Sequence, residues 1–105
     1  MKFGDKLKEL RLSQKITQRK LAAALDVAPS IYNRFERNER KVKREMLPQL
    51  ASLLNIAENE LTKFWVADKV YKLIEDEEEP EEVISMVSEQ LCTYNPRKEY
   101  EETSK

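Results

Sequence analysis

The chain has 105 residues, 40% of them hydrophobic and 37% charged, which is enough for one compact core and short of what two independent domains usually need. Its one cysteine, Cys92, has no partner for an internal disulfide, and a chain without histidine cannot build a Cys/His zinc site, so neither metal nor cofactor is expected. The net charge of −1 is a cancellation, because residues 1–63 carry 14 Lys and Arg against 8 Asp and Glu (+6) while residues 64–105 carry 5 against 12 (−7).

No apolar run approaches the roughly 18 residues of a membrane span, and the opening MKFGDKLKEL lacks the uninterrupted apolar stretch of a signal peptide. A cytoplasmic protein without membrane contact is expected. Enzyme chemistry is not expected either: there is no histidine, no Gly-rich phosphate loop and no setting that would activate Cys92. Cys92 reads as a half-buried packing residue, with an intermolecular disulfide as the other reading. One Gly, four Pro, abundant Lys, Glu, Leu and Ala, and no alternating apolar pattern predict an all-α fold.

Phe3, Leu7 and Leu10 fall at i, i+4 and i+7, so a first helix is predicted over about 3–12. Thr17 suits the N-cap of a second, whose apolar face is Leu21, Ala22 and Leu25. Asp26 then stands where a sharp turn calls for a left-handed backbone. Asn38 and Asn55 stand at two further helix ends, so Asp and Asn occupy positions where glycine would be expected. Pro29 fits the first position of a third helix reaching Arg37, with Tyr32 and Phe35 turned inward and Ser30, Asn33, Arg34 and Arg37 turned out. Two short helices across a tight turn, TQRKLAAALDVAPSIYNRFE, are an arrangement in which the second can be presented to the DNA major groove.

A basic loop, 38–44, follows. Leu47, Leu50, Ala51 and Leu54 then mark a fourth helix, with Pro48 tolerable only in its first turn. Ile56, Leu61 and Phe64 read as a short fifth helix that closes the core. A helical pattern through Trp65, Val70, Tyr71 and Ile74 continues to the acidic run 75–79. Pro80 restarts a helix with Glu81 and Glu82 in its first turn, where carboxylates suit the helix dipole, and with Ile84, Val87 and Leu91 as its stripe. The acidic run reads as a solvated break, with DNA mimicry or a basic partner as the other reading.

In order and spacing, LKELRLSQKITQRKLAAAL, VAPSIYNRFERNERK and LPQLASLLNIAENEL resemble the lambda-repressor/Cro-like helix-turn-helix regulators of bacteria and phages, and the resemblance covers residues 3–64. It implies a five-helix DNA-binding domain over 1–64, followed here by one or two extra helices over 65–95 and a polar tail over 96–105. It also implies that the helix from Pro29 to Arg37 enters the major groove, that Arg11 and Glu36 form an internal salt bridge, and that Gln18 contacts phosphate and braces the reading helix. Family glycine positions are Asp26, Asn38 and Asn55 here, and two usual helix caps are Ala28 and Ala57.

On that framework Ser30, Asn33 and Arg34 are the candidate base contacts, since Arg grips guanine and Asn adenine through paired hydrogen bonds. Ile31 reads equally as a thymine-methyl contact or as an edge of the core. Arg37, Arg40, Lys41, Lys43 and Arg44 crowd the exit of the helix as candidate phosphate clamps. Trp65, Val70, Tyr71, Ile74, Ile84, Val87 and Leu91 either cap the core or meet a second copy, and a homodimer is expected because the five-helix domain already closes near Phe64. The resulting expectation is a repressor-type regulator that binds double-stranded DNA as a homodimer on a near-palindromic operator. The competing readings are an antitoxin-like protein whose acidic C-terminal half takes a protein partner, and a restriction-modification controller.

Overall fold

The computed structural model describes residues 1–94; Asn95 and the tail expected over 96–105 lie outside the described residues. Every regular element among the described residues is helical. In chain order they are α1 (Phe3–Ser13), α2 (Gln18–Ala24), α3 (Pro29–Glu36), a 3-10 turn (Arg44–Met46), α4 (Leu47–Leu53), α5 (Glu58–Ile74) and α6 (Pro80–Tyr94). The all-α class and the element order are those expected. Pro48 occupies the first turn of α4, where its missing amide hydrogen removes no helical bond.

The chain divides into two compact units, residues 1–69 and the residues from 70 onward. In the first, Leu7, Leu21, Tyr32, Leu50, Leu54 and Leu61 are completely or almost completely buried. Tyr32 and Phe35 meet edge to face at 6.0 Å between ring centroids, the inward pair predicted for α3.

Four helices end in the same way. After α1, α2, α3 and α4 the chain turns left-handed at Lys15, Asp26, Asn38 and Asn55, with φ between 55° and 62°. In each case the amide of that residue and the amide of the next reach back to two of the last free carbonyls. For α2 the bonds run from Asp26 to Ala23 and from Val27 to Ala22, and for α3 from Asn38 to Phe35 and from Glu39 to Arg34. The residues that follow the first, second and fourth turns, Ile16, Val27 and Ile56, pack against the core and complete the apolar contact of this motif. Asp26, Asn38 and Asn55 are the turns expected from sequence, and Lys15 is an additional one.

The closing element differs from expectation. α5 is 17 residues long rather than short, and the division expected after Phe64 falls inside it. Trp65, at i+4 from Leu61, is the aromatic that enters the core, while Phe64 is 38% exposed. The reason is a polar one, since the Trp65 indole N–H donates to the Val42 carbonyl at 2.8 Å and a buried indole needs such an acceptor. Trp65 therefore belongs to the core, which corrects its grouping with residues that meet a second copy.

In the second unit, α6 buries none of its residues. Ile84, Val87 and Leu91 are 42–48% exposed and Tyr71 is 52% exposed, whereas Val70 and Ile74 are half-buried. Cys92 is exposed, not half-buried as expected, because it lies on this uncovered helix.

Candidate nucleic-acid interface

The interface is built on α3. Burial of Tyr32, Phe35 and Glu36 fixes which side of the helix faces the core, so Ser30, Arg34 and Arg37 are left exposed on the opposite side and Asn33 is half-buried at its edge. Ile31 packs partly against the core, which favours the second of its two readings.

The rotation of α3 is locked by a chain of polar groups rather than by apolar packing alone. Arg11 reaches from α1 with Nε donating to Glu36 Oε2 at 2.6 Å and Nη2 donating to Oε1 at 3.1 Å, while Nη1 donates to the Ile16 carbonyl at 3.0 Å. Gln18, in the first turn of α2, donates through Nε2 to Glu36 Oε1 at 2.9 Å and to Asn33 Oδ1 at 3.2 Å. One carboxylate thus ties three helices together, and the same amide that braces it also orients Asn33. The fork-shaped Arg11 contact is both strong and directional.

Both charges of the pair are largely out of water, with side-chain exposure of 11% for Arg11 and 2% for Glu36. Burial opposes ionisation of Glu36, but hydrogen bonds from Arg11 and Gln18 outweigh it and hold the carboxyl below its usual range. The hydrogen bond to Glu36 raises Arg11 above its usual value. The Tyr32 hydroxyl is buried without a hydrogen-bond partner among the described residues; burial, and then the neighbouring Glu36, push its ionisation far upward.

Around α3 the sequence-predicted cations fall into two groups. Arg34, Arg40, Lys41 and Lys43 are exposed, and none of them carries an ion pair among the described residues. They are free to meet an external anion. Arg37 is paired with Glu39 at 3.2 Å, and Arg44 lies over the Trp65 ring at 5.4 Å from its centroid. The loop that carries these cations is anchored by Val42, which is buried against the core, so the charges stand on a fixed segment.

Three features escaped the sequence reading. Val42 was hidden within a basic run. Gln49 Nε2 donates to the Ala24 carbonyl at 2.6 Å, which fastens α4 to the end of α2 beside the turn into α3. The last is the lock between α1 and the end of α3, formed by Gly4, Asp5 and Asn38. Gln49 has no distinguishing neighbours in sequence, whereas the lone glycine at position 4, inside a helix pattern, was a legible sign of close backbone approach.

A rigid helix that offers a hydroxyl, an amide and a guanidinium outward, beside a loop of unpaired cations, can donate hydrogen bonds to base edges and neutralise phosphates together. Residues 7–61, more than half of the chain, match the family model described as Helix-turn-helix. No curated protein and no solved structure matches the chain.

Proposed function

The chain belongs to the lambda-repressor/Cro-like helix-turn-helix family, whose members are DNA-binding regulators of transcription, and from that premise we propose that it is a repressor acting as a homodimer on a near-palindromic operator. The observation that carries the reading is the locked α3. Arg11, Gln18 and Glu36 hold its rotation, so Ser30, Asn33 and Arg34 are offered together as a preorganised set of donors and acceptors. In this reading Arg34 and Asn33 read base edges, Gln18 supports Asn33 and approaches a phosphate, and Arg37, Arg40, Lys41, Lys43 and Arg44 follow the backbone.

The homodimer rests on the second unit, whose residues Val70, Tyr71, Ile74, Ile84, Val87 and Leu91 are exposed or half-buried. With a balance of −7 over residues 64–105, this segment is unsuited to gripping phosphates. A two-fold pairing of copies through its apolar stripe would set two α3 helices on successive turns of the major groove.

The test is selection of bound duplexes from a random pool by the full chain, followed by protection mapping on the winners. Enriched sites should contain two inverted half-sites about one helical turn apart. Recovery of no common sequence would overturn the operator reading, and a single half-site would overturn the dimer.

A further inference from the structure

The exit of α3 is strongly basic, yet one carboxylate stands within it. Arg34, Arg37, Arg40, Lys41, Lys43 and Arg44 follow one another within eleven residues, and the exposed carboxylate between them is Glu39, since Glu36 is buried against Arg11. Glu39 Oε2 lies 3.2 Å from Arg37 Nη2, with both side chains in solvent at 47% and 63% exposure.

The position of Glu39 is fixed by the backbone. Its amide donates to the Arg34 carbonyl at 2.9 Å as the last bond of the α3 ending. The preceding residue, Asn38, is left-handed and is held through its side chain to the Gly4 amide at 2.8 Å. The carboxylate is therefore presented at the end of α3, beside the guanidinium that continues the face of Ser30 and Arg34.

We propose that Glu39 is a positioning residue for DNA binding, an internal counterion that holds Arg37 and cancels its charge at the phosphate backbone. The proposal rests on the reading that the exit of α3 lies along phosphates. An exposed ion pair of this kind contributes little to stability, so its effect is exerted on the ligand rather than on the fold. A cation that neutralises a phosphate releases about 0.9 of a condensed counterion. A cation that arrives with its own carboxylate brings no net charge and releases almost none. Glu39 thereby sets the strength of the sequence-independent part of binding.

The experiment measures affinity of the full chain for a random duplex as a function of salt, comparing wild type with Glu39→Gln, Arg37→Ala, the double variant and Lys41→Ala. Glu39→Gln should bind on the order of tenfold tighter at about 0.1 M salt and steepen the log–log salt slope by about 0.9. Its advantage over wild type should then shrink about threefold to fourfold between 50 and 200 mM salt. In the Arg37→Ala background the same change should leave the slope where it was. A slope unchanged by Glu39→Gln, alongside a shallower one for Lys41→Ala, overturns the counterion role while leaving the phosphate reading standing. An undiminished effect of Glu39→Gln without Arg37 overturns the route through Arg37. No slope change in any variant overturns the phosphate reading and the proposal with it.

Discussion

Asn38 closes α3 onto the start of α1 by accepting a 2.8 Å hydrogen bond from the Gly4 amide through Oδ1, and Gly4 allows that approach because it has no Cβ. A methyl group at position 4 would run into the carbonyl oxygens of Phe35 and Glu36 as well as Asn38 Oδ1. Two of these are backbone atoms, which cannot rotate away. Gly4→Ala should therefore destabilise the chain by roughly 1–3 kcal/mol or more, as over-packing does. Asn38 is itself left-handed, so Asn38→Gly relieves the backbone but loses the acceptor, and Asn38→Ala loses both advantages. Denaturant unfolding should rank wild type above Asn38→Gly and Asn38→Ala last; equal stability of the two variants would show that the left-handed turn costs nothing here.

Removing one member of the Arg11–Glu36 pair should harm the fold more than removing both. Glu36→Ala leaves the Arg11 guanidinium enclosed without its partner, at an expected loss of about 3–5 kcal/mol. Arg11→Met with Glu36→Leu removes both charges and should lose less than the sum of the single changes. Strictly additive losses in the double-mutant cycle would contradict the coupling implied by the 2.6 Å contact.

The same carboxylate predicts acid sensitivity with a definite sign. The Glu36 carboxyl titrates lower in the folded chain than its ordinary value of 4.5, so the unfolded chain takes up a proton first as pH falls. The stabilisation is fully present above about pH 4.5 and is lost as pH descends through the lower folded value. Because the chain has no histidine, the melting temperature should hold nearly level between pH 6 and pH 8 and drop below pH 4.5. In Glu36→Gln the acid drop should be shallower; an identical acid limb would assign the loss to other carboxylates.

The helix pattern and the left-handed ends at Asp26, Asn38 and Asn55 were legible in the sequence because each is local: an apolar stripe stops and a residue tolerant of positive φ follows. Lys15 was not legible, since lysine has no such preference and its turn follows from the docking of Ile16 onto the core. The choice between Phe64 and Trp65 was equally hidden. From Leu61 both i+3 and i+4 lie on a helix face, and the decision came from a carbonyl 23 residues away, at Val42. For the interface, residue types and spacing on α3 could be read directly. The tie from Gln18 to Asn33 and the Glu39 contact to Arg37 exist only once the chain is folded.

Arg34 and Lys41 should respond differently to truncation. Arg34 is exposed on the outward side of α3 and carries no ion pair among the described residues, so Arg34→Ala should erase discrimination at one base pair, a loss of roughly 1–3 kcal/mol on the operator and much less on random DNA. Lys41→Ala should weaken both alike and make the salt slope shallower by about one. Equal losses on both DNAs for Arg34→Ala would move it to the phosphate class.

The last prediction concerns the second unit. α6 carries Ile84, Val87 and Leu91 at helical spacing, each close to half exposed, and a stripe this apolar is expected to be covered in the working protein. Its N-terminal turn and the preceding link hold Glu and Asp from 75 to 79 together with Glu81 and Glu82, which keeps DNA from serving as the cover. A second copy meets the stripe without that conflict, since two-fold pairing matches apolar surface with itself. Val87→Glu with Leu91→Glu places two charges in that stripe and changes no member of the buried core, which runs from Phe3 to Trp65. The double variant should keep its helical content, sediment as a monomer at micromolar concentration, and bind a two-half-site operator much more weakly while its binding to a single half-site is unchanged. A wild-type chain that already sediments as a monomer, or a double variant that retains full operator affinity, would sink the dimer assignment and return the stripe to the competing reading, a surface for a different protein.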